Sequence, residues 1–130
     1  MVFVGRVDDA GREYLLRLAS ALAYLSVFEG FGLPPLEAMA RGTVVLASDA
    51  TAVAETAGDG ALLVDPYDVD AIARGLVRVL GDETLRQGLR RRGLARAACF
   101  GVEPCGSKAR SALAAAVGLA ATPAGTWAES

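Results

Sequence analysis

Histidine is absent from this chain, lysine occurs once, at Lys108, and cysteine occurs only twice, at Cys99 and Cys105. Zinc sites of the ordinary type are built from histidines and from closely spaced pairs of cysteines, and neither is present here. The sequence therefore predicts no bound metal. Two cysteines without a CxxC pattern are typical of a protein in a reducing compartment, so we expect a cytoplasmic location.

The chain also lacks a long apolar run and a strong excess of either charge. The longest apolar run of the tail, ALAAAVGLAA at 112–121, is far shorter than the roughly 20 residues that span a bilayer. The N-terminus MVFVGRVDDAGREYLL has no basic segment followed by a long apolar one. The net charge is −2, without the basic footprint of a nucleic-acid-binding protein. We expect neither export, nor a membrane span, nor a nucleic-acid partner.

Short apolar runs alternate with longer amphipathic segments, which is typical of a βαβ chain. The predicted strands cover residues 2–4, 21–26, 43–48 and 61–65. The second and third are apolar almost throughout, as strands covered on both faces must be. The sequence predicts an α/β fold, a Rossmann-like parallel sheet flanked by helices.

The amphipathic segments predict helices over residues 9–20 and 34–41, a third after Pro66 and a fourth over 82–100. Gly42 is expected to end the second, and Asp68 to cap the third. The arginine run 90–92 either contacts an anion or forms a solvated face, the latter being the more common. The residues expected to face inward are Tyr14, Leu15 and Leu18 in the first helix, Val69, Ile72, Ala73, Leu76, Val79 and Leu80 in the third, and Leu85, Leu89 and Leu94 in the fourth.

The segment FEGFGLPPLEAMARG, residues 28–42, follows the second predicted strand. In an open parallel sheet, ligands bind outside the carboxyl ends of the strands. Gly30 and Gly32 let a ligand approach the main chain and permit backbone angles closed to other residues, while Pro34 or Pro35 suits a first helical turn. Free amides and the helix dipole then predict a phosphate or diphosphate site. The amides concerned belong to Phe31, Gly32 and Leu33.

Two glutamates, Glu29 and Glu37, frame this segment. A carboxylate only accepts hydrogen bonds, so beside a phosphate-binding backbone it suits ribose or sugar hydroxyls, which can donate. The alternative is that Glu37 satisfies amides at the helix start and Glu29 is a surface loop residue. The spacing alone leaves both interpretations open.

The core EGFGLPPLEAMARG resembles the signature of retaining glycosyltransferases of the group 1, GT4-like type, in which two glutamates are separated by seven residues. The resemblance extends over VFVGRVDD, VVLASD, AETAGDGALLVDPYD and LRQGLRRRGLARAACF. It implies the GT-B fold, in which two Rossmann-like domains enclose the active site. Residues 1–102 then correspond to the later part of the C-terminal, nucleotide-sugar-binding domain. Residues 103–130 are expected to form a divergent tail rich in alanine and glycine, with a helix over 107–119 and loose final residues.

The resemblance also assigns roles to individual residues. It implies that Glu29 is catalytic, facing hydroxyls of the donor sugar near the reacting carbon, and that Glu37 accepts hydrogen bonds from the ribose. Glu55 matches a recurrent position that shapes the neighbouring loop. The remaining substrate-binding positions are Gly30, Phe31, Gly32 and Leu33 around the sugar and diphosphate, and Gly5, Arg6, Val7 and Asp8 beside the base.

The implied reaction moves a hexose from a nucleoside diphosphate to an acceptor hydroxyl with retention at the anomeric carbon. The nucleotide sugar is a substrate, and no cofactor or metal is implied. We expect the isolated chain to transfer little sugar without a missing N-terminal half, and to self-associate or dock on another chain. The alternative is a non-catalytic nucleotide-binding or interaction module. A dinucleotide-binding domain has little support, because no GxGxxG follows the first predicted strand.

Overall fold

The predicted alternation of strands and helices is confirmed in the computed structural model, which describes residues 1–50 and 52–101. The predicted helix over 107–119 and the tail that contains it lie outside these residues, so the predicted boundary after residue 102 stays a prediction. All the elements below belong to one compact unit, Met1–Ala98. They are α1 (Asp9–Leu18), β1 (Ala21–Tyr24), α2 (Leu33–Ala40), β2 (Val44–Ser48), α3 (Ala52–Ala57), a 3-10 turn (Gly58–Gly60), β3 (Ala61–Val64), α4 (Val69–Gly81) and α5 (Glu83–Ala98).

The sheet is parallel, with its three strands in the order β1-β2-β3. Ala21 pairs with Val44, and Val45 pairs with Ala61. All five residues of β2 are buried, and four of them, Val44 to Ala47, are apolar, as expected for a strand covered on both faces. Parallel pairing with a helix between successive strands confirms the Rossmann-like α/β class.

The segment 2–4, predicted as a first strand, is not one. Its residues are irregular, and Val2 and Phe3 are almost fully exposed. Within the described part of the chain no strand pairs with them. A three-residue segment without ladder hydrogen bonds or a covering layer has nothing to hold it extended, however high its β-propensity.

Helix ends follow the predicted caps. Asp68 caps α4 by accepting a hydrogen bond from the Ala71 amide over 2.9 Å. Gly42 follows α2 with φ +73°, in the left-handed region that glycine tolerates, which confirms its role as the stop.

The core lies where α4 and α5 meet the sheet. Val44, Val79 and Leu89 form a buried cluster. Gly75 lets α4 approach the sheet closely, because an added Cβ would come within 2.8 Å of Leu46 Cδ1. On another side of the unit, Met39 of α2 packs against glycines of the 3-10 turn and α5.

Several predicted inward faces are wrong in detail. In α1 the buried residue is Leu16, whereas Tyr14, Leu15 and Leu18 are exposed. Helical periodicity identifies an apolar face but not the width of the surface that covers it, and a narrow contact buries a single stripe. In α4, Val79 is buried and Ile72 and Leu76 are half-buried, but Val69, Ala73 and Leu80 are exposed; in α5, Leu89 is buried, Leu85 is half-buried and Leu94 is exposed.

The arginines of α5 are not simply a solvated face. Arg90 donates to the carbonyl of Gly42 and Arg92 to that of Asp59, each over 2.8 Å. Arg91, between them, is exposed. These long side chains tie α5 to turns that are distant in sequence. No helix of the described residues combines the length and the apolar character needed to cross a membrane.

Candidate functional site

The start of α2 lies at the carboxyl edge of the sheet, after β1, and the start of α3 lies after β2. The two helix starts touch, because a Cβ added to Gly32 would lie 3.0 Å from Val53 Cγ2 and 3.4 Å from Val53 Cα. In parallel α/β sheets this edge is where ligands bind. The segment 28–42 therefore occupies the position expected for a site.

Gly32 is the N-cap of α2 and adopts φ +79°, ψ 48°. This left-handed conformation, together with the contact on Val53, confirms the prediction that glycine is required here. The prediction of a special backbone angle is wrong for Gly30, which does not have a positive φ and faces open space. Gly30 leaves the main chain accessible, but its own geometry does not demand glycine.

The first turn of α2 has few amides to offer, because Pro34 and Pro35 carry no N–H. No side chain caps the helix. Among the described residues, the amides of Gly32 and Leu33 donate no hydrogen bond. Two unused donors at the positive end of a helix are suited to an anion.

Glu29 is held by a residue that the sequence analysis missed. The hydroxyl of Tyr24, the last residue of β1, donates a 2.5 Å hydrogen bond to Glu29 Oε2. This bond to an anionic acceptor, together with burial, raises the pKa of Tyr24 to about 12. The sequence did offer a signal for this pair, since a tyrosine stands near the end of a predicted strand, five residues before the glutamate.

Glu37 lies in the second turn of α2 and faces α1. Its Oε2 atom lies 3.2 Å from a terminal nitrogen of Arg12. That oxygen is buried and accepts no hydrogen bond of good geometry within the described part of the chain, so the contact is an ion pair rather than a directed bond. The alternative interpretation, in which Glu37 accepts hydrogen bonds from amides at the start of its own helix, is wrong. Arg12 gave no local signal, since the pair joins two helices.

The two glutamates are thus held by different elements, Glu29 by β1 and Glu37 by α1. Each keeps one carboxylate oxygen outside these contacts, because Tyr24 engages one oxygen of Glu29 and Arg12 engages one of Glu37. A carboxylate fixed through one oxygen can present the other to a hydroxyl donor.

The residues expected beside the base surround the start of α1. Asp8 is the N-cap of this helix and accepts from the Gly11 amide over 2.8 Å, so it has a structural task. Val7 is partly exposed, and Gly5, with φ +68°, is open to solvent. Arg12, one turn after Asp8, is the residue that pairs with Glu37. The start of α1 therefore lies beside α2, while its contact with a base stays a prediction.

A charge network supports the far end of this helix pair. Arg41, the C-cap of α2, donates to Glu13 of α1 and, over 2.6 Å, to the carbonyl of Glu37. Arg17 donates to the other oxygen of Glu13 over 2.6 Å. The hydrogen bonds from Arg41 and Arg17 lower the pKa of Glu13 to about 2. The carboxylate of Glu13 is therefore ionised under all ordinary conditions.

Glu55 is exposed on α3, and its carbonyl accepts a 2.5 Å hydrogen bond from Arg96 of α5. The bond fixes the main chain of α3 and does not involve the Glu55 carboxylate, so the shaping role stays a prediction. In residues 1–50 and 52–101, no three cysteine, aspartate or glutamate side chains lie close enough to hold a metal ion.

A parallel α/β unit with a glycine-capped helix at its carboxyl edge is a Rossmann-like framework. The family model described as "Glycosyl transferases group 1" matches residues 1–96, and the chain belongs to this family.

Individual relatives agree with that assignment. O-antigen chain mannosyltransferase B of Escherichia coli is 43% identical over 103 residues, which cover 79% of this chain and 27% of that protein. Phosphatidyl-myo-inositol mannosyltransferase of Mycobacterium tuberculosis is 40% identical over 92 residues, which cover 65% of this chain and 24% of that protein. The chain therefore spans about a quarter of the length of these relatives.

The structure of sucrose-phosphate synthase from Thermosynechococcus elongatus is similar to this chain with a TM-score of 0.73 and 33% identity. The match covers 88% of this chain and 30% of that one. It confirms the predicted fold, a partial GT-B domain with a Rossmann-like sheet.

Proposed function

We propose that this chain supplies the donor half-site of a glycosyltransferase, binding a nucleoside-diphosphate sugar for retaining transfer of a hexose to an acceptor hydroxyl. The observation that carries the proposal is the start of α2. There a left-handed glycine pressed on Val53 and two successive prolines leave the amides of Gly32 and Leu33 unused at the carboxyl edge of the sheet. A diphosphate is the anion that such a helix start best accommodates.

In this proposal the helix start stabilises the leaving group. As the bond between the anomeric carbon and the diphosphate breaks, negative charge develops on the phosphate oxygens. Fixed N–H donors and the positive end of a helix stabilise that charge without reorganising. Phe31 and Gly30 complete the main chain that borders the sugar and diphosphate.

Glu29 and Glu37 take the two hydroxyl-bearing parts of the donor. Glu29, oriented by Tyr24, faces the hexose near the reacting carbon. Glu37, positioned by Arg12, accepts from the ribose hydroxyls. Val7 and Asp8 border the base at the start of α1.

In this proposal the acceptor site lies outside this chain. Because the chain covers 27% of one mannosyltransferase relative and 24% of another, the proposed acceptor site is supplied by an N-terminal half. The names of these relatives make mannose, carried on a nucleoside diphosphate, the first donor sugar to test. We expect the isolated chain to bind nucleotide and to turn over little or no donor.

Calorimetric titration of the chain with GDP, UDP and ADP tests the binding step. We expect saturable binding of one nucleotide, weakened about tenfold by Glu37→Ala, since a hydrogen bond to a charged group contributes on the order of 1.5–3 kcal/mol. Asp70→Ala, which removes an exposed carboxylate from α4, is the matched control and should leave the affinity unchanged. A folded chain that binds none of the three nucleotides contradicts the proposal.

The second candidate is a non-catalytic nucleotide-binding or interaction module derived from such a domain. It is favoured by the match to only about a quarter of each mannosyltransferase relative, because sugar transfer needs an acceptor site as well as a donor site. Co-expression with the N-terminal half of a mannosyltransferase relative separates the two candidates. Restored sugar transfer that is lost again in Glu29→Ala supports the enzyme, whereas nucleotide binding without transfer supports the module.

A further inference from the structure

A cationic cleft lies at the end of α2 opposite the proposed donor site. Its volume is about 470 Å³. Three elements and the turn after α2 contribute to it, and its lining residues are Arg17, Ala40, Arg41, Gly42, Arg90 and Leu94.

This cleft is separate from the start of α2. The helix has eight residues, and at about 1.5 Å per residue its two ends are roughly 12 Å apart. Ala40 and Arg41 lie at its C-terminal end, whereas Gly32 and Leu33 lie at its N-terminal end. A group bound in the cleft is therefore not the diphosphate of a donor bound at the helix start.

The three guanidinium groups of the cleft are held in place by other contacts. Arg41 is fixed by Glu13 and by the carbonyl of Glu37. Arg17 donates through Nε to Glu13 over 2.6 Å. Arg90 donates through Nε to the Gly42 carbonyl over 2.8 Å, and its side chain lies along Gly42. Side chains that are already ordered lose less entropy when a ligand arrives.

These contacts leave hydrogen-bond donors unused. In the part of the chain that the structure describes, the terminal nitrogens of Arg17 and Arg90 donate no hydrogen bond. Of the described carboxylates, only that of Glu13 pairs with any of the three arginines. The cleft therefore carries two positive charges in excess, together with several fixed donors.

Most of the carbonyls at the end of α2 already accept hydrogen bonds from within the chain. A helix C-terminus ordinarily repels negative charge because its last carbonyls are unpaired. The carbonyl of Glu37 accepts from Arg41, and that of Gly42 accepts from Arg90. The Ala38 and Met39 carbonyls accept from main-chain amides. These four carbonyls are therefore paired with donors, and the guanidinium groups add the positive charge at this end of the helix.

We propose that this cleft binds the phosphate group of a second ligand, distinct from the sugar donor. Planar guanidinium forks match the oxygens of a phosphate, and two unneutralised cations match its charge. The volume is within the range of small-molecule sites. The phosphate belongs either to a small phosphorylated molecule or to a lipid headgroup that ends in a phosphomonoester, since both present the same dianion. The proposal is independent of nucleotide binding at the start of α2.

The test is calorimetric titration of the full chain with inorganic phosphate at constant ionic strength. The variant Arg17→Gln/Arg90→Gln removes both sets of unused donors. Arg91→Gln is the control for each arginine lost, because it removes one guanidinium charge from an exposed neighbour on α5 that does not line the cleft. We expect the double variant to weaken binding at least tenfold and the control by less than twofold.

Arg17→Gln alone keeps the test valid if the double variant does not fold, because the Arg17 side chain is 69% exposed. Co-sedimentation with phosphatidylcholine vesicles containing phosphatidic acid tests the lipid source. If the parent chain binds these vesicles and the double variant does not, the site binds a headgroup. If the parent chain binds only free phosphate, the site binds a small molecule. The proposal is overturned if neither probe binds, or if the control weakens binding as much as the double variant does.

Discussion

The hydroxyl of Tyr24 donates a 2.5 Å hydrogen bond to Glu29, so the last residue of β1 fixes the first carboxylate of the proposed site. The bond joins the end of a half-buried strand of the sheet to an otherwise irregular loop. Of the two glutamates, Glu29 is the one for which a catalytic role is proposed, and it is also the one anchored to the sheet. This bond therefore orients the carboxylate before the proposed donor binds.

The Tyr24–Glu29 pair predicts an unusual tyrosine titration. In the parent chain, the tyrosinate absorbance of Tyr24 should appear with a midpoint near pH 12, because Glu29 stabilises the protonated hydroxyl. The variant Tyr24→Phe identifies this absorbance, since it is lost there. In Glu29→Ala the midpoint should move toward the ordinary value of 10.0. Because the pKa is raised in the folded state, the bond stabilises the fold below about pH 10 and ceases to do so between about pH 10 and 12. An unchanged midpoint in Glu29→Ala contradicts the pairing.

Gly32→Ala should destabilise the chain by about 2–3 kcal/mol. The left-handed backbone costs a residue with a Cβ roughly 1–2 kcal/mol, and the added carbon meets Val53 at 3.0 Å. Gly30→Ala is the matched control two residues earlier, because its Cβ enters open space without a positive φ. Its effect should remain within about 0.5 kcal/mol. Urea unfolding measures both, and similar losses in the two variants would show that the Val53 contact is not decisive.

The hydrogen bonds that Arg41 and Arg17 donate to Glu13 predict that the free energy of unfolding decreases at acid pH. The pKa of Glu13 is lowered in the folded state from 4.5 to about 2 by Arg41 and Arg17, so its contribution is complete above the unfolded value and is lost as the pH falls through this interval. Glu13→Gln should flatten the pH dependence of the free energy of unfolding between about pH 4.5 and 2. Asp70→Asn removes an exposed carboxylate that pairs with no arginine among the described residues, and it should not reproduce that flattening.

Much of the fold could be predicted because its signals are local. The alternation of apolar runs identified β1, β2 and β3, and Gly42 and Asp68 marked helix ends through conformations and hydrogen bonds made within a few residues. The strand expected at residues 2–4 failed because a strand depends on a neighbour that its own sequence does not encode. The face of α1 failed for a related reason, since the surface that covers Leu16 belongs to another element.

In the candidate site, too, the features encoded locally could be predicted and the contacts between distant elements could not. The spacing of Glu29 and Glu37 and the two glycines located the segment, and the requirement for glycine at position 32 was correct. What holds the glutamates was not predictable, because Tyr24 and Arg12 reach them from β1 and α1. Resemblance to a family supplied roles that composition and spacing could not, and those roles still require the binding measurements described above.

Arg96 is the subject of a further prediction, because it links α5 to α3, the helix that contacts Gly32. It donates to the carbonyls of Thr56 over 2.8 Å and Glu55 over 2.5 Å, near the end of α3, whose Val53 contacts Gly32. Hydrogen bonds from a charged donor are worth on the order of 1.5–3 kcal/mol, so Arg96→Ala should lower the free energy of unfolding by about 2 kcal/mol. Arg91→Ala, on the exposed side of α5, should change it by less than about 0.5 kcal/mol. If α3 also positions the helix start, Arg96→Ala should weaken nucleotide binding under conditions where the chain remains folded, and Arg91→Ala should not. Equal affinities in the two variants would limit Arg96 to a role in stability.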